Sequence, residues 1–301
     1  KKNKVKKKIK IVIFGDLNNI ICRILLWQML KLSKENNIEI KKFYNTSKKK
    51  ENLLKNVISF IFIKIFNPIK HNFFFNNTGI FIKLFSNIKI QNILNKNKKN
   101  FVQNLNLLKY DYAFSFCCNQ ILKKKTLKCF NKVINYHSSI LPSYRGLNST
   151  LWSIFFNEKY TGYTFHYIDP KIDSGKIILQ DKFKINYKNS YKSIEMLKTN
   201  LAKKSLKKVI DLVLKGYKGI IPSKKGSYYG KKDIKKITKF KKIKKIKLIK
   251  KIIGIWGGII YIKNNKKFYI TKINNYGRIC RINYYPVFIF NILNFQKFYR
   301  S

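Results

Sequence analysis

The run "IKIVIFG", Ile9 to Gly15, constrains the fold of this chain more than any other stretch. A continuous apolar run ending on glycine is expected of a strand buried on both faces, as in a parallel sheet covered by helices. The next segment, "IICRILLWQMLKLSKEN", places apolar residues at roughly helical spacing, and "IEIKKFY" returns to an extended pattern. Strand, helix and strand in this order predict an α/β fold built on an open, mostly parallel sheet. The turn at Gly15–Asp16 carries no GxGxxG pattern, so a dinucleotide-binding fingerprint is not supported.

Further along, residues 48–100 alternate apolar and Lys/Asn segments without clean periodicity. "YDYAFSFC" (Tyr110 to Cys117) predicts a strand, "LKKKTLKCF" a short helix, and "KVINYHS" another strand. "TGYTFHYID" and "GKIILQDKFKI" predict two more extended segments joined by the loop "PKIDS", punctuated by Pro170 and Gly175. From Ser190 the apolar residues recur at i, i+3, i+4 and i+7 as far as Lys215, and Gly216 supplies a stop, which predicts an amphipathic helix. "DIKKITKFKKIKKIKLIKKII" (233–253) has an apolar residue about every third position, the pattern of a helix with one buried stripe and a Lys face. Short alternating runs then follow, separated by Asn pairs. The expected organisation is a catalytic domain over 1–215, a linker over 216–234 and a small basic β-rich domain over 235–301.

Composition narrows the function classes. The chain has 301 residues, 45% of them hydrophobic, enough for a substantial core, so disorder is not the expectation. The formal charge of +54 favours polyanions such as nucleic acid. The basic residues are nearly all Lys, however, spread evenly and accompanied by Asn, Ile, Phe and Tyr, which share A/T-rich codons. Codon bias therefore accounts for the charge as well as function does. Only 12 carboxylates remain, and four of them (Glu158, Asp169, Asp173 and Asp181) fall between Asn135 and Asp181, which draws attention to that segment. Five cysteines form neither a CxxC pair nor a Cys/His metal spacing, and their odd number argues against a disulfide framework; a reducing cytoplasm is the expected setting. The basic start precedes a five-residue apolar run, a strand rather than a signal peptide, and the later apolar runs are too short to span a bilayer.

Chemistry-bearing residues gather at one place. Asn135 and His137 alternate at the end of "KVINYHS", so both side chains face the same side of a strand. Ligands of open α/β sheets bind at the carboxyl ends of strands. Asp173 lies in a loop after a second strand, beside Gly175. An amide and an imidazole that donate to an oxyanion, with a carboxylate that orients the imidazole or accepts a proton, suit acyl transfer. Blander roles compete: a lone His after a strand is often a structural hydrogen-bonding residue, and an Asn before a turn is often a turn former. His166, mid-strand in "YTFHYID", is an alternative base but is expected to be a partly buried strand residue. Cys117 and Cys118 are expected to be core residues at a strand end, and His71 is given no role.

The segment 134–180, "INYHSSILPSYRGLNSTLWSIFFNEKYTGYTFHYIDPKIDSGKIILQ", resembles the core of the folate-dependent formyltransferase family. Its Asn-x-His, Ser-Ile-Leu-Pro-x-Tyr-Arg-Gly turn, Thr-Gly-x-Thr strand and Asp-Ser-Gly loop stand in the family's order and spacing. The resemblance implies a Rossmann-like catalytic domain and transfer of a formyl group from 10-formyltetrahydrofolate to a primary amine, with no metal. It implies that Asn135 and His137 stabilise the tetrahedral oxyanion, and that Asp173 holds His137 in its working state and assists proton removal through water. It further implies that "NQIL" (Asn119, Gln120, Ile121 and Leu122) and the loop carrying Asp169 and Lys171 line the pterin pocket, largely through backbone groups. Ser138, Tyr144 and Arg145 of the turn would contact substrate.

The same resemblance offers three acceptors. The two-domain length and Lys-rich tail favour the amino group of initiator methionyl-tRNA, whose phosphates the tail would meet. Amino sugars linked to nucleotides are the alternative, because "RGLNSTLW" replaces an "RGAAP"-like continuation and "GYTFHYID", "KIDSGKIILQ" and "GSYYGKK" look closer to amino-sugar formyltransferases. Glycinamide ribonucleotide belongs with shorter enzymes. A non-catalytic basic RNA-binding relative is the reading from another class.

Overall fold

A computed structural model describes residues 8–47, 88–93, 99–186, 190–223, 225–240, 246–263, 266–274 and 279–284. His71 and the apolar runs of 57–66 and 73–85 lie outside these residues. The chain divides into two compact units, the first drawn from Lys1–His137, Tyr163–Asp181 and Met196–Ser223, the second from Ser138–Gly162, Lys182–Glu195 and Lys224–Ser301.

The first unit opens as the apolar pattern predicts. Strand β1 (Ile9–Gly15) buries Ile11 to Phe14 completely, α1 (Ile20–Glu35) follows, and β2 (Ile38–Asn45) pairs parallel to β1. Helix α1 starts where Asn19 accepts a hydrogen bond from the Ile21 N–H, satisfying a donor that the first turn leaves unpaired. Its inward stripe includes Cys22, Leu25, Leu26 and Met29, all fully buried. Burial of each such apolar side chain is worth roughly 1.5–3 kcal/mol before entropy is charged. Gly15 is required at the strand end, since a Cβ there would sit 2.4 Å from the Cys22 sulfur and 2.7 Å from the Phe116 carbonyl oxygen.

The chain continues through β3 (Lys89–Asn92), α2 (Lys99–Leu108), β4 (Tyr112–Phe116), α3 (Lys124–Leu127), β5 (Lys132–His137), the second unit's β6 (Arg145–Gly146) and α4 (Ser149–Phe155), then β7 (Tyr160–Tyr167), β8 (Ile177–Lys184) and α5 (Tyr191–Leu214). Seven strands form one sheet in the order β3-β2-β1-β4-β5-β7-β8. Its pairings are parallel from β3 through β5 and turn antiparallel at β5–β7. That reversal sets Asn135 opposite His166 and His137 opposite Thr164. An aromatic core lies on one face of the sheet, where Phe14 stacks on Tyr44 with ring centroids 5.1 Å apart and Phe130 meets Phe14 edge-on.

The second unit holds β9 (Tyr228–Tyr229), α6 (Lys231–Thr238), β10 (Lys239–Phe240), α7 (Ile246–Trp256), β11 (Ile259–Lys263), β12 (Lys266–Ile273) and β13 (Ile279–Tyr284). Strands β10 to β13 make a small sheet, the β-rich C-terminal element expected from the alternating runs. Leu151 and Trp152 pack with Ile234, Ile249, Ile252, Ile259 and Ile270 as its core. The Lys-rich stretch is not one helix. It breaks at Lys239–Phe240, whose backbone pairs with Ile260 and Tyr261 instead of continuing the helical ladder. No helix among the described residues is long and apolar enough to cross a membrane.

Candidate active site

Three polar side chains predicted from the sequence meet at the carboxyl end of β5, with a fourth beside them. Asn135 and His137 alternate on β5, and antiparallel pairing lays His166 of β7 directly across from Asn135, so all three share one face. Asp173 arrives from the loop between β7 and β8. One of its carboxylate oxygens lies 3.5 Å from His137 Nδ1 and the other 3.6 Å from His166 Nε2. These are ion-pair distances, longer than hydrogen bonds. Asn135 Nδ2 lies 3.1 Å from His166 Nε2, and His166 Nδ1 is 2.8 Å from the Tyr167 carbonyl oxygen. His166 is 1% exposed, His137 8%. Little water competes at either ring, so the carboxylate between them acts in a medium of low dielectric.

The loop is built to deliver that carboxylate. Asp173 adopts a left-handed backbone with φ 49°, a region that Asp tolerates better than most residues and that clusters at functional sites. One Asp169 side-chain oxygen accepts from the Lys171 N–H (3.0 Å) and from the Ser174 hydroxyl (2.6 Å), forming a turn that braces the loop. Gly175 lets the loop press against β7: a Cβ there would lie 1.8 Å from the Tyr167 carbonyl oxygen. Tyr167 N–H then donates to the Lys176 carbonyl at 2.9 Å, closing the loop.

Beyond the strand ends on the same sheet, Asn119 and Gln120 lie on the irregular segment after β4. Asn119 Nδ2 donates to the buried Asp16 carboxylate at 2.6 Å, and its N–H donates to Thr46 Oγ1 at 3.2 Å. Gln120 Nε2 donates to the Ile93 carbonyl at 3.3 Å. Ile121 is exposed, whereas the Leu122 side chain is core, packed among Val12, Phe14 and Tyr44. The Lys171 side chain is exposed. Burial pushes the Cys22 thiol well above its ordinary range, with Cys117 and Asp16 adding to the effect.

Within the second unit, the turn residues are held by their own neighbours. Ser138 Oγ donates to the buried Glu195 carboxylate (2.9 and 3.1 Å), which also accepts from the Thr150 hydroxyl. Tyr144 stacks on Tyr229 with centroids 5.9 Å apart and its hydroxyl donates to Glu158. Arg145 Nε is 3.5 Å from the Ser227 carbonyl oxygen.

His166, expected to be a partly buried strand residue with a role as alternative base held in reserve, is almost fully buried and joins the cluster. Strand alternation alone shows which residues share a face within one strand. Its position opposite Asn135 depends on the β5–β7 register, for which the sequence carries no local signal.

Comparison with known proteins places the stretch that carries these residues among formyl transferases. Residues 74–210 match the formyl transferase family. Over that stretch, a little under half of its length, the chain is similar to formyl transferases. It is 34% identical over 126 residues to a methionyl-tRNA formyltransferase of Thermodesulfovibrio yellowstonii, covering 42% of this chain and 40% of the relative. It is 30% identical over 122 residues to a GDP-perosamine N-formyltransferase of Brucella melitensis, covering 40% of this chain and 47% of the relative. The chain thus spans less than half the length of these curated relatives. A solved sugar N-formyltransferase from a Shewanella species shares the fold over 88% of this chain and 97% of its own, at 18% identity and a TM-score of 0.63.

Proposed function

We propose that this protein transfers the formyl group of 10-formyltetrahydrofolate to a primary amine, with Asn135, His137 and Asp173 as the catalytic residues. The observation that carries the reading is the Asp173 carboxylate set 3.5 Å from His137 Nδ1, with Asn135 on the same face of the same strand. Because His137 turns Nδ1 to the carboxylate, Nε2 lies on the opposite side of the ring. In this mechanism the ring acts with a hydrogen on Nε2, directed away from the carboxylate and able to donate.

The amine nitrogen attacks the formyl carbon, and the carbonyl oxygen gains the negative charge of a tetrahedral intermediate. Asn135 N–H and His137 Nε2–H donate to that oxygen, the arrangement that stabilises charge where it develops. The attacking nitrogen loses a proton, passed through water to Asp173. Breaking the carbon–N10 bond, with a proton delivered to N10, yields the formamide and tetrahydrofolate. In this reading the segment Asn119–Leu122 and the loop bearing Asp169 and Lys171 border the pterin through backbone groups, and Ser138, Tyr144 and Arg145 lie on the acceptor side.

For the acceptor we favour the amino group of methionyl-tRNA. Helix α6 supports it by burying Ile234 and Thr238 and exposing Lys231, Lys232, Lys235 and Lys236, a face suited to phosphates. A nucleotide-linked amino sugar is the second reading, supported by the identity to a GDP-perosamine N-formyltransferase. The test supplies 10-formyltetrahydrofolate with methionyl-tRNA or with amino-sugar nucleotides and follows tetrahydrofolate release. Formylation of methionyl-tRNA alone upholds the first acceptor, and the reverse result replaces it with the second. No turnover with any amine overturns formyl transfer and leaves a basic RNA-binding relative.

A further inference from the structure

His166 sits one strand away from the residues assigned to the chemistry, almost fully buried, and its two ring nitrogens face different partners. Nδ1 lies 2.8 Å from the Tyr167 carbonyl oxygen. A carbonyl oxygen only accepts, so Nδ1 must carry a hydrogen. In a neutral imidazole the other nitrogen is then bare and can only accept. That nitrogen, Nε2, faces the Asn135 side-chain amide at 3.1 Å.

An asparagine amide has a donor end and an acceptor end of nearly the same shape, and its neighbours decide which end points where. A bare ring nitrogen bonds to the NH2 end and repels the carbonyl end. We propose that His166, held as its Nδ1–H tautomer by the Tyr167 carbonyl, is a positioning residue that keeps the NH2 group of Asn135 turned into the site. One N–H of that group bonds to His166, and the second remains for the oxyanion. The assignment of a role in catalysis rests on the formyl-transfer reading; the tautomer and the amide orientation do not.

The same tautomer explains how Asp173 divides its attention. Its oxygens lie at nearly equal distances from His137 Nδ1 and His166 Nε2, 3.5 and 3.6 Å. A bare Nε2 offers the carboxylate no proton, so His137 is the ring that Asp173 supports. An Nε2–H at His166 would reverse both relations, drawing off the carboxylate and turning the Asn135 carbonyl inward. His166 thereby makes Asn135 a donor and leaves Asp173 to the His137 ring.

Two measurements test this. Long-range proton–nitrogen NMR on protein labelled with 15N-histidine, with His166 assigned by its loss in His166→Gln, reads the tautomer directly without requiring activity. The expected result is a protonated Nδ1 and a bare Nε2; an Nε2–H tautomer or a doubly protonated ring at neutral pH overturns the proposal. In formyl-transfer assays, His166→Leu removes the acceptor and lowers kcat by about 10- to 100-fold, the scale of a misplaced catalytic group, with KM for both substrates changed less than about threefold. His166→Gln, whose amide oxygen can accept from Asn135, recovers to within about threefold of the natural protein. On an Asn135→Ala background, His166→Leu costs less than about twofold, because no amide remains to orient. An undiminished loss on that background shows a merely structural histidine and overturns the proposal. Absence of transfer by the unaltered protein overturns the function proposed above, and the NMR result still decides this one.

Discussion

Asp173→Asn is the sharpest perturbation of the candidate site, because it removes one charge while keeping size and shape. The carboxylate lies 3.5 Å from His137 Nδ1, and its side chain is 13% exposed. At an effective dielectric near 20, a unit charge pair at that separation is worth about 5 kcal/mol. In the proposed mechanism the partner is the His137 ring as it donates to the developing oxyanion, so most of this energy would be expressed in the transition state. With about 1.4 kcal/mol per decade, and part of the interaction retained by the amide dipole, kcat should fall by about 10³-fold. The fold should not change: Asn tolerates the left-handed backbone that residue 173 adopts at φ 49°. The assay is tetrahydrofolate release under saturating 10-formyltetrahydrofolate and amine, alongside a thermal melt. A Tm within about 2 °C of the natural protein is expected, given that about 1 kcal/mol moves Tm by a few degrees in a chain of this size. A kcat within tenfold of normal in a folded protein would refute the electrostatic reasoning and remove Asp173 from the catalytic set.

Three further outcomes follow from the packing and the charges. Gly175→Ala forces a Cβ to 1.8 Å from the Tyr167 carbonyl oxygen, so the loop must move; a loss of about 1–3 kcal/mol in urea unfolding is expected, with a lower kcat because Asp173 moves too. Glu195→Ala leaves the Ser138 and Thr150 hydroxyls without their shared acceptor, and should cost about 2–4 kcal/mol by the same measurement, more than Glu195→Gln. Burial raises the hydroxyl pKa values of Tyr163, Tyr167 and Tyr269. Above about pH 10 the unfolded chain ionises these tyrosines while the folded state keeps their protons, so stability falls as pH rises through that range. Absorbance at 295 nm should show those tyrosines ionising only as the protein unfolds, and free ionisation in the native state would contradict their burial.

The β-α-β opening was legible because it is local: a buried parallel strand must be apolar throughout, and Ile11 to Phe14 are. Helix α5 was legible for the same reason, its apolar period running to the stop at Gly216. The Lys-rich stretch of 233–253 misled. Its threefold spacing suits a helix, but pairing of Lys239–Phe240 with β11 outweighs a weak local preference. Helix α2 was not singled out, although Phe101 and Leu105, four residues apart, are the side chains it packs into the aromatic core.

The sequence by itself determined the kinds of chemistry available. Alternation on β5 put Asn135 and His137 on one face, and the Asp-Ser-Gly loop offered a carboxylate on a backbone that glycine allows to pack closely. Only the tertiary structure decided which groups meet. The antiparallel turn of the sheet at β7 set His166 against Asn135, and the closed loop carried Asp173 between two rings. Strand register and loop closure are long-range relations, fixed by packing across the whole sheet and invisible to any window of neighbouring residues. The opposite holds for strand alternation, which the bond geometry of the chain imposes at every position.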